Sequence, residues 1–505
     1  MKFLKKRMPF DQSSGANLKG SLMPKKLRDK RPLKRTKIVG TLGPASDQED
    51  TLRRMILAGL DAVRFNFSHS THEYLIPLIK RMRELENRMG IPVALIGDLQ
   101  GPRIRIGEIA KGKATLKTGH DICLTPRQLT GDKDVVSISH PNMADDVRTG
   151  SLILIDDGNI ELEVINIDTN GDVRCRILRG GELSARRGIN LPGLRVNLPS
   201  ITPKDYADVD FAVAQDFDFL ALSFVQSAED VRILKNYLKQ KGSDISVIAK
   251  IERQNALDDI KTIASEAWGV MVARGDLALE MSLQEVPIAQ KHIIDVCRRA
   301  AIPVITATQM LESMIERNKP TRAEATDVAN AILDGTDALM LSAETAVGRH
   351  PIETVTMMSK IAVAVENAWF EKKLSGPMPF APPNDIEPTV AYAGNLVAES
   401  LTAKAIVAYT ASGVTACRVA CHRPHRPVLS LSVTPRVQRR LALAWGVESA
   451  LIEPIKATDN MVDVALRKVQ HFGLAGTGDI VVIVAGTPPL GRSGRTNTLK
   501  VERIP

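Results

Sequence analysis

The sequence predicts an α/β protein: a (β/α)8 TIM barrel with a β-barrel lid domain inserted after the third strand and a separate C-terminal α/β domain. Three observations predict it. Short apolar, β-branched runs centred near Ile38, Val63, Leu95, Leu220, Ile248, Met271, Val304 and Leu339 alternate with helix-length amphipathic stretches such as residues 50–60 and 74–89. Six of the seven intervals between those runs are 23 to 35 residues, the size of one βα unit, but the third spans about 125. After the eighth run comes a Pro-rich stretch, SGPMPFAPPNDIEP at residues 375–388, which reads as a boundary.

The chain of 505 residues is long enough for several domains. Residues 1–34 form a basic leader, and residues 1–35 carry twelve Lys or Arg against Asp11 and Asp29, a net +10. The total is +9, so the remaining 470 residues sum to −1, and the body gives no electrostatic case for nucleic acid. The leader reads as a disordered, solvated arm or an upstream start ahead of Met8 or Met23; organelle targeting and surface binding are the alternatives. Residues 35–101 hold the first three barrel strands. Residues 102–198 are rich in strand-like pieces (151–155, 159–167, 172–178) broken by Gly, Asn and Asp, and read as the lid. Residues 199–374 complete the barrel, and residues 389–505 contain strand-like runs at 404–409, 427–431 and 479–485. No apolar run approaches the roughly 20 residues that span a bilayer, so no membrane partner is expected. The five cysteines match neither a disulfide framework nor a zinc spacing, which fits a reducing, cytoplasmic compartment. Cys417 and Cys421, one helical turn apart, read as packing.

In a barrel of this kind the chemistry sits at the C-terminal tips of the strands. The eight tips carry Thr41; Arg64, Asn66 and Ser68; Asp98; Ser223; Lys250 and Glu252; Arg274 and Asp276; Thr308 and Gln309; Ser342 and Glu344. One polar tip is an ordinary strand exit into water; eight converge on one mouth. Lys250 and Glu252 lie two apart and so share a face, an arrangement that also suits a plain ion pair. Asp276 adds a carboxylate on the next strand, beside Gly275. Two carboxylates without His or Cys suit Mg2+ together with substrate oxygens. A metal to polarise oxygens, Lys250 to neutralise developing charge and Arg64 to hold a phosphoryl group point to phosphate or enolate chemistry. These residues do not name the substrate.

The motifs resemble those of the pyruvate kinase family: TLGPAS at 41–46, RFNFSH at 64–69, GDLQGP at 97–102, AKIE at 249–252, MVARGDL at 271–277, ATQMLES at 307–313, PTRAE at 320–324 and LSAET at 341–345, in the family's order. The similarity runs from about Lys34 to Val501. The resemblance implies phosphoryl transfer from phosphoenolpyruvate to ADP, giving pyruvate and ATP, the last step of glycolysis. It implies Mg2+, with Mn2+ as substitute, on Glu252 and Asp276; Lys250 and Arg64 on the transferring phosphate; and the backbone of Ala273, Arg274, Gly275 and Asp276, with Thr308, around the substrate carboxylate. Thr308 and Ser342 become candidates for the proton relay, and Thr41, Pro44, Arg64, His69, Tyr74 and Lys204 for the nucleotide. A homotetramer is implied as well.

Many members of that family need K+ at positions matching Asn66, Ser68 and Asp98, with Thr, Lys and Glu where this chain has Leu99, Gln100 and Arg103. A guanidinium at Arg103 can supply the cation covalently, so K+ independence is expected. In the C-terminal domain Thr410, Ser412, Gly413 and Thr415 resemble the loop that takes an effector phosphate, and residues 491–497 the loop that closes over it; the expected effector is a sugar phosphate or nucleoside monophosphate. Val414 stands where an Arg is common, which argues against fructose 1,6-bisphosphate. Two other readings compete: a Mg2+-dependent lyase or aldolase, which would need neither ADP nor a lid, and a catalytically silent binding protein.

Overall fold

The structure is a computed structural model and describes residues 31–455, 458–486 and 495–505. Eight parallel strands close into a barrel: Lys37–Thr41, Ala62–Asn66, Ala94–Asp98, Phe219–Leu222, Ser246–Ile251, Gly269–Ala273, Val304–Ala307 and Ala338–Leu341. The eighth strand pairs with the first, Lys37 opposite Ala338. Alternation of period two sorts the side chains. Ile38, Val63, Phe65, Val247 and Ala249 face the surrounding helices, whereas Val39, Ala62, Ala94, Ile96, Ile248, Met271 and Met340 fill the lumen.

The N-terminal ends of three strands share one device. Asp61, Asp218 and Asp337 precede the second, fourth and eighth strands, and each carboxylate accepts the N–H of a neighbouring strand: Ile38 at 2.8 Å, Leu95 at 2.9 Å and Val304 at 3.1 Å. Each is then paired to cations from outside the barrel. Arg31 and Lys34 take Asp61, so residues 31–34 of the basic leader are docked rather than solvated. Residues 1–30 lie outside the described residues. Arg83 and Arg439 take Asp218. Arg423 grips Asp337 with both terminal nitrogens at 3.0 Å and lies over the Trp445 ring.

The insert begins at strand Ile104–Arg105 and ends at Gly188–Asn190. It forms a seven-stranded mixed sheet and a two-stranded ribbon around its own core of Ile122, Leu124, Ile153, Leu162, Val164 and Ile177. The two edge strands of that sheet meet through an Ile106–Ile138 bridge, with Gly107 N–H on the Ser137 carbonyl, which gives the barrel-like closure the sequence predicts. The C-terminal domain is a five-stranded sheet in the order Val447–Leu451, Val428–Ser432, Ala405–Tyr409, Ile480–Ala485, Thr498–Arg503, with only the last strand antiparallel. Its first helix, Ile386–Ser400, starts inside the Pro-rich stretch, with the Asp385 side chain accepting from Ile386 N–H. Among the described residues no helix is long and apolar enough to cross a membrane.

Arg423 and Asp337 are both buried. Removing one partner leaves an uncompensated charge, so Arg423→Met is expected to lower stability by about 3 kcal/mol. Urea unfolding followed through the fluorescence of the adjacent Trp445 measures it.

Candidate active site

The alternation that fills the lumen with apolar groups also delivers the polar ones. Continuing the inward face upward, Ile248 is followed by Lys250 and Glu252, Ala62 by Arg64 and Asn66, Ile96 by Asp98, and Ala221 by Ser223. The result is a buried row of alternating charge. Arg64 Nε lies 2.6 Å from Asp98 Oδ2, Asp98 Oδ1 lies 3.3 Å from Lys250 Nζ, and Lys250 Nζ lies 2.7 Å from Glu252 Oε1. Lys250 also donates to Ser223 Oγ at 2.7 Å, and Ser223 donates to the Leu99 carbonyl at 2.7 Å.

Burial opposes the charges of Asp98, Lys250 and Glu252, and the neighbours decide the outcome. For Asp98 the Arg64 and Lys250 cations outweigh burial and hold the carboxyl below its usual range. For Lys250 the Asp98, Glu252 and Asp276 carboxylates outweigh it and raise the ammonium's pKa. For Glu252 burial prevails; Lys250 offsets only part of it, Asp276 adds to it, and the carboxyl is raised. The two partners of the Lys250–Glu252 pair differ because the lysine faces three carboxylates while the glutamate faces one ammonium and another acid.

Glu252 Oε2 accepts the Phe224 N–H at 2.5 Å, and Oε1 is buried against the Lys250 ammonium, 2.7 Å away. A buried carboxylate with a second acid, Asp276, close enough to help raise its pKa fits a hard divalent cation. Among the described residues no group of three or more His, Cys, Asp or Glu side chains could hold a metal. Glu252 and Asp276 would therefore supply two ligands and leave the other positions to substrate or water oxygens.

Beside the row lies a cavity of about 610 Å3 lined by Thr41, Gly43, Pro44, Arg64, Asn66, His69, Tyr74, Ser342 and Val347. Tyr74 Oη is buried there without a partner. Thr41 donates to the Leu341 carbonyl at 2.9 Å and accepts from Arg64 Nη1 at 3.1 Å, so its hydroxyl orients Arg64. His69 has its pKa lowered by burial and by Arg103, Arg64 and Arg105.

The family models match this chain twice: residues 33–355 fit the pyruvate kinase barrel domain and residues 388–502 the pyruvate kinase alpha/beta domain. The chain belongs to the pyruvate kinase family. It is 42% identical over 473 residues to the pyruvate kinase of Geobacillus stearothermophilus, covering 93% of this chain and 80% of that one. It is 41% identical over 471 residues to that of Mycobacterium tuberculosis, covering 93% and 98%. A solved pyruvate kinase from Cryptosporidium parvum superposes with a TM-score of 0.86 at 34% identity, covering 96% of this chain and 98% of that one. This pyruvate kinase chain is accordingly a phosphotransferase.

The Arg274 guanidinium pairs with Asp327 at 2.8 Å and donates to the Thr308 carbonyl at 2.6 Å, so the side chain buttresses the loop and leaves its backbone for the expected substrate carboxylate. That support matters because Thr308 and Gln309 both have positive φ, 68° and 55°, which a β-branched residue rarely adopts. Thr308 Oγ1 donates to the Ala307 carbonyl and accepts the Gly275 N–H at 2.9 Å, which joins two of the expected carboxylate contacts. Lys204 lines a separate cavity with Gln100 and Arg103, and its ammonium binds Asp208 and the Phe67 carbonyl. Ser68 N–H donates to Asn66 Oδ1 at 3.1 Å, and Asp98 is held by Arg64 and Lys250. Arg103 is exposed over the Phe224 ring, 5.5 Å away. Arg105, in the strand Ile104–Arg105, joins Arg103 in lowering the His69 pKa, a part no motif of the sequence pointed to. Ser342 N–H donates to Glu344 at 2.6 Å. In the C-terminal domain Thr410 accepts the Gly413 N–H and Thr415 meets Thr496, whereas residues 487–494 lie outside the described residues. Burial raises the Cys417 and Cys421 thiols, in keeping with packing.

A metal-bound carboxylate must be deprotonated. Because Glu252 is raised, affinity for Mn2+ should fall with falling pH at a higher pH than an ordinary glutamate would impose. Paramagnetic resonance titrations of Mn2+ at stepped pH check this, and Glu252→Gln should remove both the affinity and its pH dependence.

Proposed function

We propose that the chain transfers the phosphoryl group of phosphoenolpyruvate to ADP with a divalent cation on Glu252 and Asp276 and without K+. The observation that carries this reading is the buried Arg64–Asp98–Lys250–Glu252 row opening beside a nucleotide-sized cavity. When bound, Mg2+, or Mn2+ in its place, would neutralise charge on the phosphoryl and enolate oxygens. Lys250, kept charged by three carboxylates, stabilises the negative charge on the phosphoryl group in flight, and Arg64 orients it. The bond from phosphorus to the enolate oxygen breaks, a bond to the terminal oxygen of ADP forms, and the enolate carbon takes a proton. The Thr308 and Ser342 hydroxyls are the candidates for relaying that proton. Tyr74, His69 and Pro44 line the place for the base, and the lid excludes water that would divert the phosphoryl group.

Two features support K+ independence. Asp98 already has two protein cations, and Arg103 stands near the mouth, within electrostatic reach of His69. A regulatory anion at Thr410, Ser412, Gly413 and Thr415 is supported by the Ser412 hydroxyl, buried and without a partner among the described residues. Association into a homotetramer is supported by Leu283 and Ile288, apolar yet 74% and 69% exposed.

The test is pyruvate formation from phosphoenolpyruvate, ADP and Mg2+, in K+-free buffer and with K+ added. Full activity without K+ is expected, and Arg103→Glu is expected to introduce a K+ requirement. Activity that depends on K+ in the natural chain would discard the role of Arg103. No pyruvate in either buffer, with candidate effectors present, would overturn the function.

A further inference from the structure

We infer that Gln226 is a positioning residue that ties the lid to the Lys250–Glu252 pair, an inference that rests on the phosphotransferase reading above. The lid returns to the barrel through residues 191–202, between the strand Gly188–Asn190 and the helix Pro203–Ala214. Three side chains fasten this return. Gly193 N–H donates to Glu280 at 3.3 Å from the barrel, and Asn197 N–H donates to Asp146 Oδ2 at 3.0 Å from the lid. Between them the Gln226 amide makes two opposed bonds to one residue: Val196 N–H donates to Oε1 at 3.2 Å, and Nε2 donates to the Val196 carbonyl at 2.9 Å. A side-chain amide paired this way reproduces a bridge of a β-sheet and fixes the return connection against rotation as well as sliding.

The other end of the same segment is in the active site. Gln226 N–H donates to Asp230 at 2.8 Å, at the start of the helix Ala228–Gln240, which anchors its backbone. Two residues earlier, Phe224 holds the unusual φ of 55° for an aromatic residue and gives its N–H to Glu252 Oε2; next to it, Ser223 receives the Lys250 ammonium. Four consecutive residues therefore carry the ammonium contact, the metal carboxylate and the lid return. Movement of the lid that strains the Val196 bridge acts on Glu252 through two peptide units. The proposed role of the lid as a cover does not require that link.

Gln226→Ala tests it, because Gln226 touches neither substrate nor metal. Without substrates, the variant should bind Mn2+ about fivefold or more weakly, the lower end of typical coupling between sites. During turnover it should show a raised KM for ADP and a larger ratio of inorganic phosphate to ATP released from phosphoenolpyruvate. Unchanged Mn2+ affinity in a folded variant overturns the inference whatever the catalysis shows. Failure of the natural chain to form ATP instead falls on the phosphotransferase reading. Gln226→Glu serves where the alanine variant does not fold. An ionised carboxylate accepts from Val196 N–H but opposes the Val196 carbonyl, whereas the protonated acid restores both bonds. The phosphate-to-ATP ratio of that variant, relative to the natural chain, should move toward unity as the pH is lowered toward about 4.3, where an ordinary glutamate is half protonated; a relative ratio independent of pH overturns the inference.

Discussion

Four side chains of alternating charge, Arg64, Asp98, Lys250 and Glu252, sit buried in one row at the barrel mouth, and their mutual compensation is the constraint on which the site depends. Each would be costly alone in a poorly hydrated place, and breaking any pair exposes its neighbour's charge to that cost. The row is not self-sufficient. Ser223 takes one donor of Lys250, the Phe224 N–H takes one oxygen of Glu252, and Thr41 holds the second arm of Arg64. The Lys250 ammonium is the one cation on Glu252 Oε1, and Asp276 adds a second acid beside it, so the row carries carboxylate charge that a further cation would offset.

The opposite end of the barrel solves a related problem with the same chemistry. Strand starts leave N–H groups that the barrel ladder does not satisfy, and Asp61, Asp218 and Asp337 accept three of them. Each carboxylate then draws a cation from outside the barrel: the leader through Arg31 and Lys34, the C-terminal domain through Arg439 and Arg423. Strand-capping aspartates thus become docking points. Asp218 precedes the strand that ends at Leu222, immediately before Ser223 and Phe224. A single four-residue strand separates the contact with the C-terminal domain from the contact with Lys250 and Glu252.

The barrel was legible because its strands are short aliphatic runs at near-constant spacing, and the lid because one interval was too long. The strands Val447–Leu451 and Thr498–Arg503 were not, since VESAL and TLKVER mix charged and apolar residues without an obvious hydrophobic face. Within the site, the two-residue spacing of Lys250 and Glu252 put them on one face, and both do follow the inward-facing Ile248. Residues on the loops beyond the strands read less well. The expectation for Arg274 concerned its backbone; side-chain torsions send its guanidinium to Asp327 and Thr308, which no spacing rule gives. Gln226 escaped notice because its partner, Val196, is a backbone contact 30 residues away.

Lys250 carries the central claim, that the row neutralises a phosphoryl group in transfer. Single-turnover transfer from phosphoenolpyruvate to ADP, compared between the natural chain and Lys250→Met with Mn2+ binding measured in parallel, tests it most directly. The account predicts a loss of at least about a thousandfold in the transfer step, the scale of a lost electrostatic stabiliser, in a protein that stays folded. Transfer near the natural rate in the variant would contradict it.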